Sequence, residues 1–188
     1  MQNDPFLEAE ENQSTELNYK GFGPRLGALL LDALFIGIPV AAVNFYNLAT
    51  LRSFWLWLLI AFVATAYKPI MEAIYGATWG KMIVFIKVVD YDGEKINSFQ
   101  AILRSIFTIG QTLITIPIYF FVFNDSYLLE LDGFFDFSIG LSERFPGLNI
   151  LGAINFLIIL VELIALVVDQ PYWRSLHDRI AKTYVVES

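Results

Sequence analysis

The apolar positions of this chain fall into four long blocks rather than an alternating or thinly striped pattern. A membrane-crossing helix needs about 20 mostly apolar residues. Four stretches approach that length, at about 26–48, 53–75, 105–124 and 148–168. The first carries Pro39, where a kink is expected. The second is interrupted by Lys68, Pro69 and Glu72, the third has no charge, and the fourth holds Glu162 near its end. Between the second and third blocks, "GKMIVFIKVVDYDGEKINSF" is too short and too charged to span. Its β-branched residues, broken by "DG", predict a strand, a turn and a short strand. The expected fold is therefore an all-α polytopic membrane protein with four transmembrane helices and a small cytoplasmic β element over 81–97.

Lys and Arg placement orients these spans. Lys20 and Arg25 precede the first; Lys81, Lys87, Lys95 and Arg104 lie between the second and third; Arg174, Arg179 and Lys182 follow the fourth. The other two connections carry only Arg52 and Arg144. With four spans, all the basic clusters share one side, so both termini are expected in the cytoplasm. The third connection, 125–149, is acidic and aromatic, and is expected to lie along the outer interface. A mobile exposed loop is the plainer alternative. Residues 1–19, "MQNDPFLEAEENQSTELNY", read as a disordered acidic tail, without the basic start or the small-residue cleavage site of a signal peptide.

Composition narrows the class. Hydrophobic residues are 56% of the 188, above the roughly 45–50% of soluble domains, and the lipid bilayer is the implied partner. A net charge of −7 argues against nucleic acid. The absence of Cys removes disulfides and thiolate chemistry. "GATWGK" (76–81) has the wrong glycine spacing for a phosphate loop, and Met82 stands where a hydroxyl residue is needed. Its glycines are expected to turn the chain out of the second span. His177 and Asp178 alone do not make a metal or acid–base site. The two N-x-S sequences, at Asn12 and Asn124, read as chance matches. No cofactor is implied, and an enzyme is the least expected class.

The chemistry that remains is intramembrane charge. Asp32 sits inside the first apolar block, where a carboxylate costs about 2.5–3.5 kcal/mol on insertion scales unless it is partnered. Arg25 lies seven residues earlier on the same face, about 10 Å away along the helix and too far for a direct pair. Gly27 and Ala28 permit close helix approach beside that face. Candidate partners for Asp32 are Lys68, Glu72, Gln111, Asn155 and Glu162, with Lys68 the most economical as the only cation well inside a span. The choice is between a buried pair that fixes packing and a proton- or cation-coupled carboxylate. Lys68 and Glu72 share a face at i, i+4, with Pro69 freeing a carbonyl between them. That is either a cation site in a broken helix or, more simply, a kink with the two side chains paired or snorkelling. Glu162 is either buried or at the cytoplasmic interface beside Asp169.

Three pieces of the chain resemble a known family: "RLGALLLD" (25–32), "EAIYGATWGKMIVFIKVVDYDGEKINSFQAILRS" (72–105) and "SLHDRIAKTYVV" (175–186). In order and spacing these resemble the RDD family of bacterial membrane proteins, over nearly all of residues 20–186. The family is named for an arginine, an aspartate within the first span and a second aspartate. Arg25 and Asp32 match the first two; Asp178 is favoured for the third over Asp90. Lys182 departs from the pattern, standing where the family often has glycine. The resemblance implies a multi-pass protein of the bacterial inner membrane. Some members have been proposed as transporters, including cation/proton exchangers. The alternative is a non-transporting scaffold or regulator that recruits membrane or cytoplasmic proteins. Four spans make a thin bundle, so transport would call for a homo-oligomer. Arg25 and Asp178 are expected on the same side, and a guanidinium fork suits a carboxylate. Arg25 is therefore expected to bond Asp178, with Arg104 the next candidate. Strand 82–89 is expected to pair with 183–186, and 95–97 to add a third strand.

Overall fold

A computed structural model describes residues 17–188. Most of the tail, residues 1–16, lies outside the described residues. Helix α1 (Phe22–Leu51) is a single 30-residue helix. It holds two π-helical turns, Ala33–Gly37 and Asn47–Leu51. The first turn lies against Pro39, whose ring would crowd the carbonyl four residues back, and the wider turn accommodates this. Helix α2 (Phe54–Tyr75) starts at Ser53, whose Oγ accepts from the Leu56 N–H, and ends at Gly76 with φ of 72°. The expected turn out of the second block is thus made by Gly76, in the left-handed conformation that glycine adopts freely.

The chain then folds differently from expectation. "WGKMI" is a short helix, α3 (Trp79–Ile83), because Thr78 accepts from the Lys81 N–H at its start. Strand β1 therefore begins only at Ile86 and runs to Asp90. Helix α4 (Ser98–Leu103) opens on a capping box between Asn97 and Gln100. The uncharged block forms α5 (Ile106–Val122), 17 residues long. Helices α6 (Ser126–Glu130) and α7 (Gly133–Arg144) occupy the third connection, so it is neither a loop nor irregular. Helix α8 (Pro146–Val168) follows, then α9 (Leu176–Ala181) and β2 (Thr183–Glu187). Three helices, α1, α2 and α8, are long and apolar enough to cross a membrane; α5 is apolar but shorter.

Strands β1 and β2 pair antiparallel, from Ile86 opposite Glu187 to Asp90 opposite Thr183. The expected pairing with 183–186 holds for 86–89, but no strand forms at 95–97. Only Lys95 bridges β1, at Val89, while Tyr19 bridges β2 at Val186. The Lys20 N–H donates to the Val185 carbonyl and the Glu187 N–H to that of Asn18. Residues 18–20, counted in part with the tail, thus lie along the free edge of β2 and extend the hairpin.

Two apolar clusters sit at opposite ends. Ala28, Ile86, Val88, Ile96, Ala101 and Val185 pack beneath the sheet. Leu48, Trp57, Val122, Phe123, Leu128 and Phe137 fill the end under α6 and α7.

Candidate functional site

The buried charges gather where the start of α1, the end of α2, α3, α4 and α9 meet. Glu72 is fully buried in the last turn of α2. Its carboxylate accepts from Lys81 Nζ at 2.5 Å and from Arg104 Nε at 2.8 Å. Arg104, just past α4 and also buried, donates through Nη1 to Asp178 and, at 2.5 Å, to Thr183 Oγ1. Asp178 takes a further bond from Arg25 Nη1 at 2.6 Å and caps its own helix, accepting from Ser175 N at 3.1 Å. One continuous chain results: Lys81, Glu72, Arg104, Asp178, Arg25. Arg25 Nε donates to the Lys20 carbonyl at 3.1 Å. The expected Arg25–Asp178 pair is present, and Arg104 shares the same carboxylate rather than replacing Arg25.

Asp178, Arg104, Lys81 and His177, all outside the helical spans, respond to this arrangement. Burial pushes the Asp178 carboxyl up, but Arg104 and then Arg25 overcome it and hold it well below the usual range. Burial also acts against the Arg104 cation, yet Asp178 and Glu72 raise its pKa above the ordinary value. Burial lowers the Lys81 amine to about 8, against the pull of Glu72. Burial, reinforced by the Lys68 charge, lowers the His177 pKa, and its Nδ1 lies 2.7 Å from a Glu162 carboxylate oxygen. Glu162 also accepts the His177 backbone N–H at 3.1 Å. Glu162 thus meets α9, while Asp169 takes Arg174 and Arg179 instead.

Asp32 stands apart from this network. None of the partners expected for it is the partner found. Oδ1 accepts from Tyr67 Oη at 2.8 Å and from the Gly80 N–H at 2.8 Å; Oδ2 accepts from Thr78 Oγ1 at 2.6 Å. Three donors from α2 and the start of α3 converge on one carboxylate of α1. The close approach expected of Gly27 and Ala28 is made by Gly80 against Ala28. A Cβ on Gly80 would lie 2.0 Å from the Ala28 carbonyl oxygen, so only glycine fits there without a shift. Lys68, the favoured partner, donates instead to the Arg104 carbonyl at 3.2 Å. Lys68 and Glu72 are not hydrogen-bonded to each other, because Glu72 is taken by Lys81 and Arg104.

Sequence reasoning missed Tyr67, Thr78 and Gly80 as the donors around Asp32. Charge complementarity directed the search to ionised groups, whereas neutral donors supplied the bonds. The usable signal was Thr78 just before the helical stretch Trp79–Ile83, since a helix start exposes N–H groups that attract a carboxylate. Lys182, where glycine fits the family pattern, keeps the tight turn after α9 with φ of 54°.

Long apolar helices around a buried polar cluster at one end define a multi-pass membrane protein. A family model described as the RDD family matches residues 19–182, and the chain belongs to the RDD family. No curated protein and no solved structure matches it.

Proposed function

We propose that this protein is a non-transporting membrane scaffold that holds a rigid plate against the cytoplasmic side of the inner membrane, where it recruits protein partners. The observation that carries this reading is the commitment of Asp32 to neutral donors: its carboxylate accepts three short hydrogen bonds from Tyr67, Thr78 and Gly80. A coupling carboxylate must exchange a proton or cation with water, and losing three preorganised donors opposes that exchange. The Glu72 and Asp178 carboxylates are likewise committed to arginine and lysine.

The topology behind this reading has four crossings. Helix α5 is about 25 Å long, at the short end of the range for a span. Lys20, Arg25, Lys81, Lys87, Lys95, Arg104, Arg174, Arg179 and Lys182 then share one side, against Arg52 and Arg144 on the other. Both termini and the sheet are cytoplasmic under this rule. Impermeant-thiol labelling of single-Cys variants in a chain with no native Cys tests it: Lys95→Cys reacts only from the inside and Ser138→Cys only from the outside.

A second reading, cation/proton exchange, is favoured by the π-helical turn Ala33–Gly37 that begins directly after Asp32. Such turns recur at functional sites. Proteoliposomes separate the two readings. The scaffold reading expects Na⁺, K⁺ and H⁺ fluxes no faster than in protein-free vesicles. Gradient-driven flux in the parent, abolished by Asp32→Asn with the fold intact, would replace the scaffold with the exchanger.

A further inference from the structure

The groove between α5 and α8 carries a feature that the single chain leaves unresolved. It holds about 220 Å³. Phe107, Gly110, Gln111 and Ile114 are among the residues lining it from α5, and Leu151, Ile154, Asn155 and Ile158 line it from α8. These residues recur at three- and four-residue steps, so each helix turns one face to the groove. All are apolar or small except the two amides. Among the described residues neither side-chain amide makes a hydrogen bond. The neighbouring α2–α5 contact differs, since its hydroxyl residues, Thr65 and Thr112, bond each other at 2.8 Å.

Depth decides what this means. Asn155 lies roughly 14 Å along α8 from Pro146 and roughly 20 Å from Val168. Its short side chain cannot reach either interface from there. An amide in hydrocarbon without a partner is costly, and interhelical hydrogen bonds between Asn and Gln are a recognised source of helix association. Helix α8 has only one buried residue, Leu166, so most of its surface is free to meet another span. A Cβ on Gly110 or Gly152 would meet nothing within 4 Å, leaving room for close approach.

We infer that the α5–α8 groove is the contact face for a second copy of this chain, closed by hydrogen bonds of Gln111 and Asn155 across a two-fold axis. The chemistry selects the occupant. An amide is both donor and acceptor, so the pattern presented by one copy is complementary to itself under a two-fold rotation. A lipid tail offers neither group. A two-fold contact of this kind is isologous and stops at the dimer. The inference rests on α5 and α8 both crossing the bilayer. The labelling of Lys95→Cys and Ser138→Cys checks that separately, and its result does not depend on whether copies associate.

The test uses the full chain in lipid vesicles. Oxidative cross-linking of Ile154→Cys and Ile158→Cys is compared with Val63→Cys, an exposed position on α2. Fluorescence transfer between labelled copies is followed as the protein-to-lipid ratio falls. The expected result is a cross-linked dimer at 154 or 158 at least about fivefold above that at 63. Asn155→Leu is expected to raise the density at which transfer is half lost about tenfold, the loss of the two symmetry-related interhelical hydrogen bonds. Equal cross-linking at the three positions, or transfer unchanged by Asn155→Leu, overturns the inference. Cross-links at 154 formed in native membranes only to a different protein also overturn it. The cross-linking variants leave both amides in place, so they remain decisive even where Asn155→Leu weakens the fold.

Discussion

The two ends of the bundle close in opposite ways. At the end bearing the sheet, two fully buried carboxylates are shared among three cations, and almost every bond has a direction. At the other end, Trp57 stacks on Tyr119 at 4.2 Å between centroids, and Leu128 and Phe137 are wholly buried. Two cations act there: Arg144 pairs with Asp125 at 2.7 Å nearer the surface, and Arg52 holds the chain from within. Arg52 donates to the Leu128 and Leu129 carbonyls at 2.9 and 2.7 Å, reaches that of Leu131, and lies over the Phe137 ring at 5.1 Å. Apolar packing tolerates imprecise substitution of similar volume, whereas a shared buried charge does not. The lesson is that the charged end sets how the helices, sheet and C-terminal segment are oriented, and the aromatic end supplies volume.

This contrast can be broken most sharply at Arg104. Arg104→Ala leaves Glu72 and Asp178 buried without their common partner and is expected to cost about 5 kcal/mol, near the top of the range for breaking a buried pair. Unfolding titration in mixed micelles measures it. Arg104→Lys should recover only a part, since an ammonium cannot match the guanidinium fork. The aromatic end gives the matching experiment. Phe137→Ala is expected to cost about 4 kcal/mol, but Phe137→Leu or Phe137→Met much less. If Arg104→Lys proved as mild as Phe137→Leu, the contrast between the ends would fail.

Gly80→Ala comes next, at about 3 kcal/mol, because the new methyl meets the Ala28 backbone rather than a flexible side-chain end. It should also loosen Asp32, which accepts the Gly80 N–H. Amide exchange at Gly80 is the readout that distinguishes this from a general loss of stability.

How much of this was legible in the sequence follows the same division. Long apolar runs are read directly, and the α1, α2 and α8 helices lie where hydropathy puts them. The Arg25–Asp178 pair was legible too, because charge placement and a same-side argument bring those residues together. Asp32 was not, since its partners are neutral groups whose position depends on α3. That helix was hidden by its content and its neighbours: Trp79, Ile83 and the following Val84 favour strands, and the Thr78 cap overrides this locally. In the third connection the sequence showed an acidic, aromatic segment but not its two helices, which are short, at 5 and 12 residues, and lie against Arg52.

Acid acts chiefly on the charged end, where Asp178 is fully buried, since the lowered carboxylate of the other end, Asp125, pairs with an exposed Arg144. Asp178 has a folded pKa well below its ordinary 3.8, owing to Arg104 and Arg25 acting against burial. For a depressed carboxylate the stabilisation is present above the unfolded value and is lost as pH falls through the folded one. Stability should therefore decline from about pH 4 downward. Asp178→Asn should start from a lower plateau and show a flatter acid limb. Phe137→Leu should keep the parent's acid limb, since it touches only the aromatic end.

The smallest effect is also opposite in sign. Lys182 closes α9 in the left-handed conformation, at φ of 54°, and its N–H reaches the Arg179 and Asp178 carbonyls. A left-handed backbone costs a non-glycine residue about 1–2 kcal/mol, while glycine loses about 0.5–1 kcal/mol more entropy on folding elsewhere in a chain. The Lys182 side chain is exposed and makes no hydrogen bond among the described residues. Lys182→Gly is therefore expected to stabilise the protein by about 0.5–1 kcal/mol, read as a rightward shift in the same unfolding titration. The gain should survive in Phe137→Leu, whose change lies at the far end, because distant sites add. It should shrink in Arg104→Ala, because the turn at Lys182 sits between Asp178 and Thr183, both of which Arg104 binds through Nη1. A gain that is equal in both backgrounds would mean that the turn is set by the local chain alone, and that the charged end does not orient the C-terminal segment.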